Sequence, residues 1–441
     1  MPGNARLNQI DHIVVLMQEN RSFDHMLGFL YPDKKTPSGK PFEGLTGEES
    51  NPGDSGPVTV FKIDTSTPDA YFMPGADPRE GYKPTNTQLF RTETPDTPTS
   101  VPTMDGFVDS FADALQFDPQ HGREVYPGTK PANIMGCFTP EALPVLSGLA
   151  RGFAVCDQWY SSVPTMTLPN RGFALAGTSL GHMDDKEAHF PIAFDTPSIF
   201  GALGDRVGWA IYSGGRLLTR RDFRDTQQAS DSHFGDLAAF KAAAANGTLP
   251  QGFIFLEPNW DGTNGNDQHP VHDVAYGEQL MLDVYNALRD GPDWNKTLLI
   301  ITYDEHGGCY DHAPPPSGAA PPDGSQGQFG FGFTRFGVRV PTVLVSPLIE
   351  EETVFRVDGG TPLDHTSLLK TIEERWDVAP LTKRDKAAPG IGDVLTLDRP
   401  REDNPLAGVV VPTSSGNNPE AGRMSYLDKV CDALAARAMN E

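Results

Sequence analysis

Residues 297–312 read TLLIITYDEHGGCYDH. The opening run, TLLIITY (297–303), has the length and the branched and aromatic content of a fully buried strand. It stops at Asp304-Glu305-His306, turns on Gly307-Gly308 and returns to a second acid–histidine pair, Asp311-His312. Such groups are costly to bury without partners, yet they crowd one end of a strand that reads as buried. Near-continuous apolar strands belong to parallel sheets covered by helices, and in such sheets ligands gather at the carboxyl ends of strands. This stretch therefore predicts both a fold class and the place to look for a site.

Similar runs recur along the chain: HIVVLM (12–17), GFAVC (152–156), VGWAIY (207–212), GFIFL (252–256) and PTVLVS (341–346). Helical patterns alternate with them. One follows Thr139, where Pro140 suits a first helical position. Others follow Pro169 or cover 273–289 and 367–376. The alternation predicts an α/β fold with a central, largely parallel sheet and helices on both faces. Two stretches rich in Pro, Gly, Thr and Asp, 32–105 and 313–335, read as long loop insertions around a site. The organisation expected is a catalytic domain over 1–393 and an extension over 394–441, irregular through 404–420 and ending in an amphipathic helix over 424–439. No internal repeat is evident.

The 441 residues are 38% hydrophobic, enough for a substantial core, and the 45 glycines and 40 prolines point away from a helix bundle. A formal charge of −24 disfavours nucleic acid and anionic membrane surfaces as partners. Four scattered cysteines lack metal-type spacing and read as buried thiols. No run reaches the ~18–20 apolar residues of a membrane helix, and the first residues do not read as a signal peptide. The expected compartment is the cytosol, or outside the cell with a leader not in this sequence. The oligomeric state has no signal.

The chemistry-bearing residues fall at strand ends. HIVVLM runs into Gln18-Glu19-Asn20-Arg21-Ser22-Phe23-Asp24-His25, and TLLIITY into Asp304-Glu305-His306. Carboxylates brought together by neighbouring strands repel unless a cation sits between them, so the pair of ends predicts a divalent metal site. The plainer reading, carboxylates that cap helices or face water, explains either end alone but not both together. A third cluster, SSVPTMTLPNRGF (161–173), puts hydroxyls just ahead of a helix start. Free N–H groups there seat a phosphate, and a threonine there can serve as a nucleophile or simply as an N-cap. Spacing does not choose between Thr165 and Thr167. In NDQHPVHDV (266–274), His269 and His272 can bind phosphate, ligate metal or protonate a leaving group, or be solvated loop histidines. In GGTPLDHTS (359–367), capping explains Thr366 and Ser367 but leaves His365 without a role.

QENRSFDHMLGFL (18–30), SVPTMTLPNR (162–171), NDQHPVHDVAYGEQL (266–280) and TYDEHGGCYDH (302–312), with the connecting piece FTPEALPVLSGLARGFAVCDQWYSS (138–162), resemble one family. It is the phosphoesterase family of bacterial phospholipases C, plant non-specific phospholipases C and certain bacterial acid phosphatases. The likeness runs from about residue 10 to about residue 376. It implies a core similar to the alkaline phosphatase superfamily. It also implies a metal-dependent phosphoric ester hydrolase, a phospholipase C-like phosphodiesterase acting through a phosphothreonine, with an acid phosphatase on the same site as the alternative.

By this resemblance Glu19, Asn20, Asp304 and Glu305 hold one divalent ion. Oxygen ligands suit Ca²⁺, Mg²⁺ or Mn²⁺, and Zn²⁺ if a histidine joins. Thr167 is the nucleophile, His312 and His269 are the proton-transfer candidates, and His272, Asn170, Arg171 and His365 lie on the substrate side. The chain departs from the family at Asp77-Pro78-Arg79-Glu80-Gly81-Tyr82, where many members carry Asp-Pro-Gly-His. Glu80 either takes over that histidine's contact with phosphate or marks a subgroup. The implied substrate is a phosphate ester, phospholipid at family level, for which Phe329–Phe336 is either a lipid contact or an ordinary packed loop. A sulfatase would need a cysteine or serine where Thr167 stands. A non-catalytic phosphate-binding protein would need no nucleophile.

Overall fold

The structure is a computed structural model that describes residues 5–95, 100–117, 123, 125–185, 194–357, 359–414 and 422–438. Eight strands form the main sheet among them: β1 (His12–Gln18), β2 (Ala154–Val155), β3 (Gly208–Ser213), β4 (Phe234–Asp236), β5 (Gly252–Glu257), β6 (Thr297–Tyr303), β7 (Thr342–Val345) and β8 (Thr353–Val354). Their order across the sheet is β8-β2-β7-β6-β1-β5-β3-β4. The five strands from β6 to β4 run parallel, and β7 enters antiparallel to both β6 and β2. Every residue of β1, β5 and β6 is buried, as their unbroken apolar runs require.

Nine helices position the site: α1 (Phe23–Leu27), α2 (Tyr82–Phe90), α3 (Phe107–Phe117), α4 (Pro144–Gly152), α5 (Thr167–Ala176), α6 (Leu237–Asn246), α7 (Val274–Arg289), α8 (Thr366–Trp376) and α9 (Tyr426–Ala438). In one layer α7 packs on α4, α6 and β6; in another α5 pairs with α8. The mostly parallel sheet flanked by helices is the fold class the sequence predicts.

Two helix starts differ from expectation. Residues 139–143 form a turn, with the Ala142 and Leu143 N–H groups on the Thr139 carbonyl, so Pro144 rather than Pro140 fills the first helical position. Helix α5 begins at Thr167, two residues before Pro169, whose missing N–H is one of those a first turn leaves unbonded anyway.

The first insertion is more than loop. Helices α2 and α3 pack on each other, and Leu89, Phe107, Phe111, Met135 and Tyr310 build a second apolar core beside the main one. The four cysteines are free and buried. In the 313–335 region and just beyond it, Phe331, Phe333 and Phe336 are buried, while Phe329 is exposed and stacks on Tyr82 with ring centroids 5.4 Å apart. The described part of the chain has no helix long and apolar enough to cross a membrane. Helix α9 sinks Leu427, Val430, Cys431 and Leu434 into the main core; positions 415–421 and 439–441 of the predicted tail lie outside the described residues.

Candidate active site

Register brings the first and the late strand ends together. Partners along β1 and β6 run from His12↔Thr297 to Gln18↔Tyr303, so Glu19 and Asp304 are the next residues on neighbouring strands. Asp304 Oδ1 accepts the backbone N–H of Asn20 at 3.0 Å and of Glu305 at 2.8 Å. Asn20 holds φ 53°, a left-handed conformation that asparagine tolerates. Opposite it, Gly307 has φ +61°, and a Cβ there would stand 2.0 Å from the Asn20 carbonyl oxygen. Only glycine permits that approach. The abrupt Gly-Gly turn is thus what lets the two acidic ends touch.

Thr167 opens α5 beside them. Its hydroxyl lies 3.3 Å from Glu19 Oε2, to which it donates, and 3.5 Å from Asn20 Oδ1. The structure separates the two threonines: Thr165 Oγ1 donates to the Met183 carbonyl at 2.8 Å, whereas Thr167 lines a cavity of about 760 Å³. Asn170 faces the loop before Thr167 rather than the cavity. Its amide donates to the Thr165 carbonyl at 2.8 Å and to the Met166 carbonyl at 3.1 Å, and its Oδ1 accepts from the Val163 N–H at 3.0 Å. It shapes the turn that aims the hydroxyl. Arg171 is fully buried, bonds Glu19 Oε1 and lies over the Trp260 ring at 5.0 Å.

The charge balance of this floor is incomplete. Asp304 Oδ2 and Glu305 Oε1 are buried without a hydrogen-bond partner. Burial, then Asp304, pushes the Glu19 carboxyl well above its usual range, with Arg171 offsetting only part. Burial and the neighbouring Asp304, Glu80 and Glu19 push Glu305 up likewise. Burial raises Asp185 to about 8 although it caps the Leu168 N–H at 2.9 Å. Anionic oxygens packed this way and left bare fit a cation with oxygen preference, which would bring the carboxyls back to their charged form.

The cavity wall carries His269, His272 and Glu80. The loop bearing the histidines is pinned to the end of β1, with the Glu19 N–H on the Asp267 carbonyl at 2.9 Å and Arg21 Nε on the Gln268 carbonyl at 2.6 Å. His272 Nδ1 pairs with Asp267 Oδ1 at 2.7 Å. His269 Nδ1 bonds the Pro270 carbonyl, which leaves Nε2 as its other functional nitrogen; burial lowers its pKa. Glu80 shares a hydrogen bond with Asp77, and burial followed by the Asp77 charge holds its carboxyl well above the ordinary range.

Besides Asn170, two further predicted site residues lie outside the floor and the cavity wall. His365 is buried behind the floor, its Nε2–H donating to the Asp304 carbonyl at 2.5 Å while Nδ1 accepts from the Trp159 indole at 3.3 Å. It holds the strand end and does not line the cavity. His312 sits in a separate network with Asp24, Asp311, Arg339 and Glu43 and is not part of the cavity wall either. Asp24, Asp311 and His312 each bring a ligand atom within 4.8 Å of the others, the one such acid–histidine group among the described residues. That group, however, already holds its counter-cation. Arg339 Nη2 donates to Asp24 Oδ1 at 2.8 Å and Nε to Asp311 Oδ1 at 3.0 Å.

Sequence reasoning missed several cavity residues. Asp184-Asp185 was visible as an acidic pair following α5. Trp260 and the wall supplied by 423–429 had no motif to announce them.

The model of the Phosphoesterase family matches residues 10–379. Non-specific phospholipase C6 of Arabidopsis thaliana is 37% identical over 413 residues, covering 90% of this chain and 74% of that protein. Phospholipase C A of Mycobacterium tuberculosis strain H37Rv is 29% identical over 471 residues, covering 93% and 82%. A solved structure of an alkaline phosphatase superfamily protein from Vibrio parahaemolyticus aligns with a TM-score of 0.33 at 12% identity over 57% of this chain and 65% of that one. The ordered motifs, the strand-end site they build and the match along most of the chain lead to one conclusion: this chain belongs to the phosphoesterase family, enzymes that hydrolyse phosphoric ester bonds.

Proposed function

We propose that the protein is a phospholipase C-like phosphodiesterase that works through a phosphothreonine on Thr167. The observation that carries this reading is the Thr167 hydroxyl, set at a helix start in the cavity and within 3.3 Å of Glu19, beside carboxylates with bare oxygens. The names of the relatives support the diester class, and about 760 Å³ leaves room for a substituted phosphate.

Glu19, Asn20, Asp304 and Glu305 would hold a divalent cation. Bound there, it would supply Lewis-acid polarisation of phosphoryl oxygen and lower the pKa of the threonine hydroxyl. The chain's own groups do the rest. The hydroxyl proton of Thr167 passes to Glu19 Oε2 as the oxygen attacks phosphorus and the bond to the departing alcohol breaks. Two groups with oppositely displaced pKa values handle the remaining protons. Glu80, kept protonated, donates to the departing alcohol. His269, kept neutral, takes a proton at Nε2 from the water that then cleaves the phosphothreonine, while Glu19 returns its proton to the departing Thr167 oxygen. His312, outside the cavity wall, transfers no proton in this scheme.

The test is hydrolysis of p-nitrophenyl phosphorylcholine by the parent and by Thr167→Ala, with acid-quenched protein examined by mass spectrometry. A mass increase on the 161–173 peptide in the parent, absent in the variant, together with a turnover loss of about 10³-fold or more, is expected. Parent-level turnover in Thr167→Ala would remove the nucleophile from this position.

A further inference from the structure

One wall of the cavity comes from a part of the chain beyond the family match, which ends at residue 379. Arg423, Met424, Tyr426 and Lys429 line the same space as Thr167 and His269. The segment is fastened on three sides. The Tyr426 hydroxyl donates to the Asp185 carbonyl at 2.7 Å, the Gly422 N–H donates to Thr263 Oγ1 at 2.8 Å, and Arg216 pairs with Asp428 at 3.4 Å and with Asp432. Leu427, Val430 and Leu434 anchor the helix in the core.

The charges on the two sides differ. Asp77, Glu80, Asp184, Asp185 and Asp267 line the catalytic side with a single arginine, Arg123, which pairs with Asp77, whereas the C-terminal segment contributes the cations Arg423 and Lys429 and no acid to the lining. Asp428, the acid within that segment, is buried and turned to Arg216.

We infer that residues 423–429 form a selectivity wall for the alcohol arm that stays on phosphorus while the other alcohol leaves. The wall favours an arm rich in oxygen acceptors, such as a carboxylate or phosphate, over a quaternary ammonium. The inference rests on the diesterase reading above. Tyr426 ties the wall to the Asp184-Asp185 loop beside Thr167, which keeps the segment that carries the two cations next to the reacting group.

The test compares p-nitrophenyl diesters whose retained arms are choline or glycolate, with p-nitrophenyl phosphate as the armless reference. In the parent, kcat/KM relative to that reference should be higher for glycolate than for choline. In Arg423→Glu/Lys429→Glu the glycolate-to-choline ratio should fall at least tenfold, and added salt should shrink the difference in both proteins, since exposed charges are screened. A ratio unchanged by the double variant would overturn the wall. Binding of non-hydrolysable glycolate and choline phosphonates to Thr167→Ala protein, measured by calorimetry with and without the charge reversals, reads the same ratio without turnover. Loss of hydrolysis in the parent with a shifting binding ratio would sink the diesterase reading and keep the wall. Equal binding of both arms in every protein would sink the wall.

Discussion

Two acidic clusters grow from the same pair of strand ends, and they are finished differently. Near β1 and β6, Glu19, Asp304 and Glu305 share one cation, Arg171, and keep two bare oxygens. A few residues further along each segment, Asp24 and Asp311 have every carboxylate oxygen bonded: to Arg339, to the His312 ring and N–H, to the Ala313 N–H and to the Asp24 N–H. Burial works against His312 being charged, but Asp24 outweighs it and raises the histidine to about 9. Proximity of acids alone therefore does not mark a functional site. What distinguishes the first cluster is unpaid electrostatic repulsion next to a hydroxyl and an open cavity, the arrangement expected where charge is to be received rather than merely balanced.

The largest contrast comes from neutralising one charged side chain in each cluster. Asp304→Asn should lower turnover of p-nitrophenyl phosphorylcholine by about 10³-fold with little loss of stability, because it relieves repulsion while removing a charged oxygen from the proposed cation site. Arg339→Met should do the reverse. It strands two buried carboxylates, and chemical denaturation should show a loss of about 3–5 kcal/mol. Equal effects of the two substitutions on both readouts would erase the distinction between the clusters.

Next in size are the residues proposed to handle protons. His269→Asn and Glu80→Gln should each slow hydrolysis by about 10²-fold. The first should abolish the acid limb of the kcat/KM profile, which lies below the ordinary histidine range because burial lowers His269; the second should abolish the alkaline limb. His312→Gln should leave the profile's shape intact.

How much of this could be read in advance differs between the clusters as well. Glu19, Asn20, Asp304 and Glu305 could be placed because they follow unbroken apolar runs, and parallel pairing puts such ends side by side. Thr167 over Thr165 needed either the family likeness or the folded structure, since two hydroxyls two residues apart near one helix start look alike in sequence. The family likeness made His312 a candidate proton donor, and nothing local in the sequence shows that Asp24, 288 residues away, already pairs with both its ring and Arg339. Asn170 and His365 read as substrate groups, yet they hold backbone; a side chain that bonds carbonyls of a distant turn has no sequence signature. The wall at 423–429 was equally silent, being defined only by where α9 docks.

The smallest effect expected is a pH dependence of stability confined to the balanced cluster. His312 has a folded pKa of about 9 against an unfolded value near 6.5, so its contribution is fully present below about pH 6.5 and is lost as pH rises through about 9. It amounts to about 2 kcal/mol at most, given the partial exposure of the ring. The denaturation midpoint of the parent should drop across that window, and that of His312→Gln should be flatter.

The most direct measurement is the location of a divalent cation in crystals soaked with Mn²⁺, by anomalous scattering, with metal content measured in parallel on Asp304→Asn and Asp311→Asn. Expected is one ion among Glu19, Asn20, Asp304 and Glu305, near the Thr167 hydroxyl, lost in Asp304→Asn and kept in Asp311→Asn. An ion seated between Asp24, Asp311 and His312 with Arg339 displaced, and none beside Thr167, would contradict the assignment of the two clusters.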